Sequence, residues 1–303
     1  MVMFSAATIG FMSVTEGVLP PITTPMDGSG NIDYDALRTH IHRLQDAGVH
    51  GIIPCGSTGE RATLTREEHK RVVETTVDAA SVPVLAGTGA SSTQEVIELS
   101  NHAADAGADG ALVIYPYYSW PSNDHVVRHY EAIADAIDIP VVIYNIPKRT
   151  ARNLEPDSTV QLAEHPNIAG IKESAGDINQ IYELLHRTRN MDFDVLSGYD
   201  SQALSTLTLG GTGITSVAAN VFPEIVCELY EATLEDDLES GRELHEDILD
   251  IETAMNLQTI PVAVKAALDI VGVHAPHVRP PLYEASQETR QELEAFLAER
   301  DPA

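Results

Sequence analysis

Basic residues are scarce in this sequence, and the scarcity excludes two kinds of partner. The 303 residues include 18 lysines and arginines against 46 aspartates and glutamates, a formal net charge of −28 at pH 7. Without a basic stripe to neutralise phosphates, we expect neither nucleic acid nor an anionic membrane as a partner. Regular apolar segments argue against disorder. Molar salt shortens the screening length to about 3 Å, so the charge indicates a halophilic protein that low salt should destabilise.

Cysteine and long apolar runs are also nearly absent. The two cysteines, Cys55 and Cys227, are too few for a disulfide framework and suit a reducing cytoplasm. The apolar stretch at the beginning of the sequence lacks the basic residues of a secretory signal and is too short to span a bilayer. We therefore expect a cytoplasmic protein whose residues 1–16 form a flexible extension, with translation starting at Met1 or Met12.

Strand-like and helix-like segments alternate along the chain. Short apolar, β-branched runs bounded by Gly, Pro or Asn are followed by segments with apolar residues at helical spacing. Eight such strand candidates favour a closed parallel sheet, so the predicted fold is α/β, a (β/α)8 TIM barrel with a C-terminal helical extension. The barrel is predicted over residues 17–222, and a helical region packed on it over residues 223–303. The strand candidates begin at residues 17, 49, 82, 108, 139, 167, 193 and 212.

Two of these strand candidates end in chemically active side chains. The run IPVVIYN contains Tyr144 near its end, and the run NIAGIKES contains Lys172. Carboxyl ends of parallel barrel strands meet at one rim, so these side chains should face each other across a pocket. Burial favours a neutral lysine amine, which attacks ketones to form a Schiff base. Lys172 could instead extend to solvent, but the chain has only four lysines, which favours a functional role.

Other strand ends carry weaker signals. The segment GSTGE at residues 56–60 could hold a carboxylate on its backbone N–H groups, or could be an ordinary turn. The segment YPYY at residues 115–118 follows the fourth strand candidate, where its aromatic side chains could serve the site or could simply pack within a loop. The sequence contains no Gly-x-Ser-x-Gly elbow and no dinucleotide fingerprint, and its 12 histidines are scattered. A metal site is a minority interpretation, so we expect no metal.

Five motifs together resemble one known family. They are GSTGE at residues 56–60, YPYY at 115–118, YNIPKRT at 144–150, GIKES at 170–174 and LSGYD at 196–200. In this order and at these strand ends they are similar to the dihydrodipicolinate synthase/N-acetylneuraminate lyase family, with the similarity running from about residue 17 to the C-terminus. The resemblance implies a class I, pyruvate-dependent lyase or synthase on a TIM barrel, with pyruvate held covalently and no other cofactor.

The resemblance also implies roles for individual residues. Lys172 would form the Schiff base with pyruvate, and Tyr144 would transfer protons. Ser57 and Thr58 would lie beside the pyruvate carboxylate and pass the proton towards solvent. Tyr118 would complete this relay from a neighbouring subunit, which implies a homotetramer built from dimers. The residues implied to bind substrate are Gly56, Arg149, Gly198, Tyr199 and Thr215.

The implied substrate is left open between two classes. Arg149 matches the arginine that places the carboxylate of aspartate semialdehyde in the synthases of the family. Those synthases usually carry Asp at the position of Tyr199 and Ile at that of Thr215, and Gly-Tyr-Asp also occurs in sugar-acid lyases. We favour condensation of pyruvate with aspartate semialdehyde, in lysine biosynthesis. The alternatives are an aldolase for 2-keto-3-deoxy sugar acids and, more distantly, a non-catalytic module that binds keto acids.

Overall fold

The computed structural model describes residues 13–300 and alternates between strands and helices over this range. Its seven strands are β1 (Gly17–Val18), β2 (Leu85–Gly87), β3 (Gly110–Ile114), β4 (Val141–Asn145), β5 (Ile168–Glu173), β6 (Asp194–Ser197) and β7 (Gly213–Ile214). Its twelve α-helices are α1 (Tyr34–Asp46), α2 (Arg66–Ala79), α3 (Thr93–Ala106), α4 (Asn123–Ala134), α5 (Pro147–Thr150), α6 (Pro156–Leu162), α7 (Ile178–Thr188), α8 (Ala203–Thr208), α9 (Pro223–Leu234), α10 (Leu238–Met255), α11 (Val262–Ile270) and α12 (Gln287–Ala298).

The strands form one parallel sheet that closes on itself. Neighbouring strands follow the order β1-β7-β6-β5-β4-β3-β2, and each pair is parallel. Two residues between β1 and β2 join the remaining edges, because Ile53 makes a parallel bridge to Pro21 and Ile52 makes one to Val84. The predicted TIM barrel is therefore confirmed, with helices following the strands around it.

The second predicted strand is shorter than expected. In the described part of the chain it contributes two isolated bridges rather than a continuous strand. Pro54 within it, and Pro20 and Pro83 on its two neighbours, lack the N–H group that a regular ladder needs. The bonds that this segment donates include Ile52 N to the Pro83 carbonyl at 2.9 Å and Ile53 N to the Pro20 carbonyl at 3.0 Å, and its Ile52 and Ile53 carbonyls accept from Leu85 N and Ile22 N, each at 3.0 Å. The prediction of a full strand there was wrong, although its place in the barrel was right.

Side chains alternate between the interior of the barrel and the layer beneath the helices. Along β4, Val141 and Ile143 belong to a buried cluster that includes helix residues such as Tyr130. Val142 and Tyr144 belong to a second buried cluster, made chiefly from strand residues. This period of two is the rule for barrel strands, and it explains why the strands are apolar on both faces.

Residues 13–16 pack against one end of the barrel. Val14 is buried in the interior cluster, and the Thr15 hydroxyl donates to the Asp194 carboxylate. The Thr212 hydroxyl donates to the Thr15 carbonyl at 2.9 Å. The predicted flexible extension over residues 1–16 stays a prediction, although Val14 and Thr15 are buried against the barrel. Its residues 1–12 lie outside the described residues.

The C-terminal helices pack on the barrel and on one another. Helix α9 contacts β1 and α8, so it lies where a helix following the last barrel strand belongs. Helix α10 packs against α8, α9 and α11, and α12 packs against α11. The predicted boundary after residue 222 stays a prediction. No helix within residues 13–300 combines the length and apolarity needed to cross a membrane.

Candidate active site

Lys172 and Tyr144 lie side by side at the carboxyl ends of adjacent strands. They are register partners of β5 and β4. The Lys172 Nζ atom lies 4.4 Å from the centre of the Tyr144 ring, and Lys172 is only 5% exposed. Both side chains point into the barrel, because Tyr144 belongs to the interior cluster and Lys172 follows Ile171, which belongs to the cluster beneath the helices. The two residues singled out at strand ends are thus brought together.

The Lys172 ammonium is destabilised by its surroundings. Burial lowers the pKa of Lys172 to about 7, an effect that the Asp200 carboxylate opposes and the Arg149 guanidinium reinforces. A substantial fraction of the amine is therefore neutral near pH 7, whereas an ordinary lysine is almost fully protonated. A neutral amine at the base of a pocket can attack a carbonyl carbon.

A cavity of about 410 Å³ opens above Lys172. It is large enough for a small keto acid together with a second small molecule. Arg149, on the short helix α5, is exposed at the wall of this cavity, where a guanidinium can bind a carboxylate through paired hydrogen bonds. The predicted site residues that line the cavity are Gly56, Ser57, Thr58, Tyr144, Arg149, Lys172, Gly198 and Tyr199.

Tyr144 is held as a neutral phenol. Burial raises the pKa of Tyr144 to about 12, although Arg149 and a hydrogen bond with Ser57 act in the opposite direction. A phenol with this pKa keeps its proton near neutral pH and can exchange it only with a neighbouring donor or acceptor. Ser57 and the buried Thr58 provide such hydroxyl groups at the same cavity wall.

Two predicted site residues lie elsewhere. Thr215 is buried, and its hydroxyl donates to the Ser197 carbonyl at 3.0 Å. It is not among the residues from 13 to 300 that line the cavity, and its assignment as a substrate-binding residue stays a prediction. Tyr118 is 90% exposed, with a left-handed backbone at φ +76°, and it also lies outside this cavity.

Sequence reasoning missed two carboxylates at the cavity wall, Asp200 and Glu252. Asp200 is buried, and its Oδ2 atom accepts bonds from the Val217 and Ala218 N–H groups at 3.1 and 3.0 Å. Burial, and then the negative charge of Glu252, raise the pKa of Asp200 to about 6. The position of Asp200 after β6 was a usable signal, whereas Glu252 lies within α10 and no sequence pattern marked it.

Hydrogen bonds to Glu173 hold the carboxyl end of β5 in place. This buried carboxylate accepts bonds from Asn145 Nδ2 at 3.0 Å, Gln180 Nε2 at 2.9 Å and Ala175 N at 2.6 Å. The pKa of Glu173 is raised by burial, although the hydrogen bonds that the carboxylate accepts act in the opposite direction. Because adjacent strand residues face opposite sides, anchoring Glu173 outside the barrel orients Lys172 towards its interior.

Position 198 needs a glycine because the backbone there lies very close to the end of β5. A Cβ atom built at this position would lie 1.8 Å from Ser174 Oγ and 2.8 Å from the Glu173 carbonyl. The glycine therefore lets the end of β6 approach the end of β5 beside Lys172.

Within residues 13–300, no group of three or more His, Cys, Asp or Glu side chains is arranged to hold a metal ion.

A parallel barrel with a buried lysine at the carboxyl ends of its strands is an arrangement suited to Schiff-base chemistry, and the similarity to known synthases shows that the chain is a class I lyase of the carbon–carbon type. Within this class it belongs to the Dihydrodipicolinate synthetase family, whose sequence model matches residues 14–300. The family predicted from the five motifs is thereby confirmed.

Several relatives match over most of their length. The 4-hydroxy-tetrahydrodipicolinate synthase of Methanospirillum hungatei is 48% identical over 290 residues, which cover 94% of this chain and 99% of the relative. The synthase of the same name from Natronomonas pharaonis is 46% identical and covers 93% of this chain and 97% of its own length. The crystal structure of dihydrodipicolinate synthase from Aquifex aeolicus has a TM-score of 0.92 at 39% identity and covers 95% of this chain and 98% of that one.

Proposed function

We propose that the protein is a 4-hydroxy-tetrahydrodipicolinate synthase, which condenses pyruvate with aspartate semialdehyde through a Schiff base at Lys172. The observation that carries this proposal is the position of Lys172, buried with a pKa of about 7 and 4.4 Å from the Tyr144 ring at the base of a cavity. The names of the relatives at 43 to 48% identity support the choice of reaction.

The proposed reaction begins with attack of the neutral Lys172 amine on C2 of pyruvate. Water leaves and a protonated imine forms, which makes the methyl hydrogens acidic because the iminium nitrogen accepts the electron pair. Removal of one methyl proton gives an enamine, and its terminal carbon attacks the aldehyde carbon of the semialdehyde. The new alkoxide takes up a proton, and attack of the acceptor's amino group on the imine carbon then releases Lys172.

Proton transfers in this sequence are assigned to Tyr144 and its hydroxyl neighbours. Tyr144 would give a proton to the departing water and to the alkoxide, and would recover it through Ser57 and Thr58. Backbone N–H groups around Gly56 would hold the pyruvate carboxylate. Arg149 would hold the carboxylate of the semialdehyde.

We assign Tyr118 to the relay of a neighbouring subunit. Its exposure and its strained, left-handed backbone support this role, because such a conformation in a non-glycine residue is retained chiefly at functional positions. The assignment implies a homotetramer built from dimers. A structural neighbour described as a monomeric dihydrodipicolinate synthase variant has a TM-score of 0.93 at 32% identity, so the oligomeric state in solution is the measurement that tests this assignment. We further propose a cytoplasmic location, consistent with the free, buried Cys55 and Cys227.

The first experiment is borohydride reduction in the presence of pyruvate, with mass spectrometry of the peptide that contains Lys172. We expect a covalent adduct on the wild type, none on Lys172→Ala, and a full adduct on Arg149→Ala, whose turnover with the semialdehyde should be impaired. Absence of an adduct on the wild type would falsify the enzyme mechanism and favour a non-catalytic keto-acid-binding module. Equal loss of adduct in both variants would contradict the separate role of Arg149.

The second candidate function is an aldolase for 2-keto-3-deoxy sugar acids. Tyr199 at the cavity wall favours it, since a phenol there offers a hydrogen bond to sugar hydroxyl groups. Pyruvate consumption in concentrated KCl should be measured with aspartate semialdehyde and, separately, with glyceraldehyde and its phosphate. Preference for the semialdehyde supports the synthase, and preference for glyceraldehyde supports the sugar-acid aldolase.

A further inference from the structure

A second buried lysine lies close to the loop that carries Ser57 and Thr58. Lys265, on α11, is fully buried, and its Nζ atom lies 2.5 Å from Oε1 of Glu60, whose side chain is also inaccessible to solvent. The same ammonium donates to the His277 carbonyl at 2.7 Å. Glu60 is the last residue of the segment at 56–60, so the C-terminal helical region holds this loop through an ion pair.

The loop itself is tightly constrained. Cys55 and Glu60, which flank its centre, have left-handed backbones at φ +56° and +55°, a conformation that costs free energy in non-glycine residues. The Thr24 hydroxyl donates to the Gly59 carbonyl at 2.8 Å. A Cβ atom at Gly59 would lie 3.1 Å from both Cys55 N and the Ile22 carbonyl. Such a backbone persists only where the surrounding structure holds it.

Arg279 supplies a second connection to Glu60. Its backbone N–H donates to Oε2 of Glu60 at 3.1 Å. Its guanidinium binds Glu68 on α2 through two bonds of 2.7 and 2.6 Å, and it donates to the Gly30 carbonyl at 2.8 and 2.6 Å and to the Thr63 carbonyl at 3.0 Å. Arg279, in the segment that follows α11, therefore binds both the loop at Glu60 and helix α2 at Glu68.

We propose that Glu60, Lys265 and Arg279 are positioning residues for proton transfer, because they fix the loop that places Ser57 and Thr58 beside Tyr144. A buried ion pair is weak evidence for stability, since neutral groups of similar size are often tolerated equally well. It does define one geometry, and the hydroxyls of a relay must lie within about 0.5 Å of their working positions. This inference rests on the proposed function.

The decisive variant replaces both charged partners together. Glu60→Gln/Lys265→Met removes the two charges, keeps side chains of similar length and leaves no unpaired buried charge. The matched control is Arg290→Met, which breaks an ion pair of 2.7 Å with Asp269 on the outer face of the same C-terminal region. Each protein is examined for its melting temperature, its borohydride adduct with pyruvate, its kcat and KM, and the exchange of pyruvate methyl hydrogens with D2O followed by NMR.

We expect the double variant to fold and to form the adduct to completion, with KM for pyruvate nearly unchanged. Its methyl-hydrogen exchange and kcat should fall by at least about tenfold, within the usual contribution of a positioned acid or base. The Arg290→Met control should keep wild-type exchange. A folded double variant with wild-type exchange and kcat would overturn the proposal, because the ion pair would then be only structural.

Arg279→Gln gives a second measurement if the double variant does not fold. This change releases the segment after α11 while Glu68, which is partly exposed, remains hydrated. The same criterion applies, since reduced exchange with an intact adduct supports the proposal and unchanged exchange overturns it. Failure of the wild type to form any adduct would instead refute the proposed function, so the two failures are distinguishable.

Discussion

The ionisation of Lys172 leads to a prediction whose size follows from the site. Lowering its pKa from 10.5 to about 7 corresponds to about 5 kcal/mol of preference for the neutral amine. At pH 7 about half of the Lys172 amines would be neutral, against about one in 3,000 for an ordinary lysine. The rate of Schiff-base formation should therefore rise with pH and reach half its maximum near pH 7.

The charges around Lys172 predict how this midpoint moves. Asp200 raises the pKa of Lys172, so Asp200→Asn should shift the midpoint to lower pH. Arg149 lowers the pKa, so Arg149→Met should shift it to higher pH. Arg38→Met serves as the control, because Arg38 pairs with Asp78 on the outer surface and its loss should leave the midpoint unchanged.

The assay mixes each protein with pyruvate from about pH 5 to 10 and quenches timed samples into alkaline borohydride. Mass spectrometry of the Lys172 peptide then gives the initial rate of adduct formation at each pH. A wild-type midpoint near 10 would refute the argument that burial controls the lysine. Shifts of the same sign in Asp200→Asn and Arg149→Met would refute the assignment of opposite electrostatic roles.

Further predictions concern stability. Gly198→Ala forces a Cβ atom against Ser174 and should cost about 1–3 kcal/mol, measured by chemical unfolding, whereas Gly28→Ala, with 3.5 Å to its nearest contact, should cost much less. Burial lowers the pKa of His40 to about 3 and of His274 to about 4, so the unfolded chain binds more protons below about pH 6.5. Stability should then fall as pH drops from about 6.5 to 4, by about 3 kcal/mol for His274 alone, and a flat profile over that range would contradict this. With a net charge of −28, the melting temperature should rise with KCl from about 0.1 to 1 M as screening shortens, and a salt-independent melting temperature would disprove the halophilic interpretation.

Local patterns of the sequence determined the class of fold and the centre of the site. Alternating apolar runs and helical segments predicted a parallel barrel, because each pattern depends only on neighbouring residues. Lys172 and Tyr144 could be placed on one rim without coordinates, since parallel strands put their carboxyl ends together. The five motifs predicted the family, which the matching family model confirms.

Tertiary contacts decided what local patterns could not. The second strand is reduced to two bridges by prolines within it and on neighbouring segments. Glu252 reaches the cavity from a helix far along the chain, and Lys265 meets Glu60 across about two hundred residues of sequence. Such pairs are set by how helices pack on the barrel, and periodicity carries no information about that packing. The sequence alone thus determined the barrel and its reactive lysine, whereas the folded chain decided which distant charges surround them.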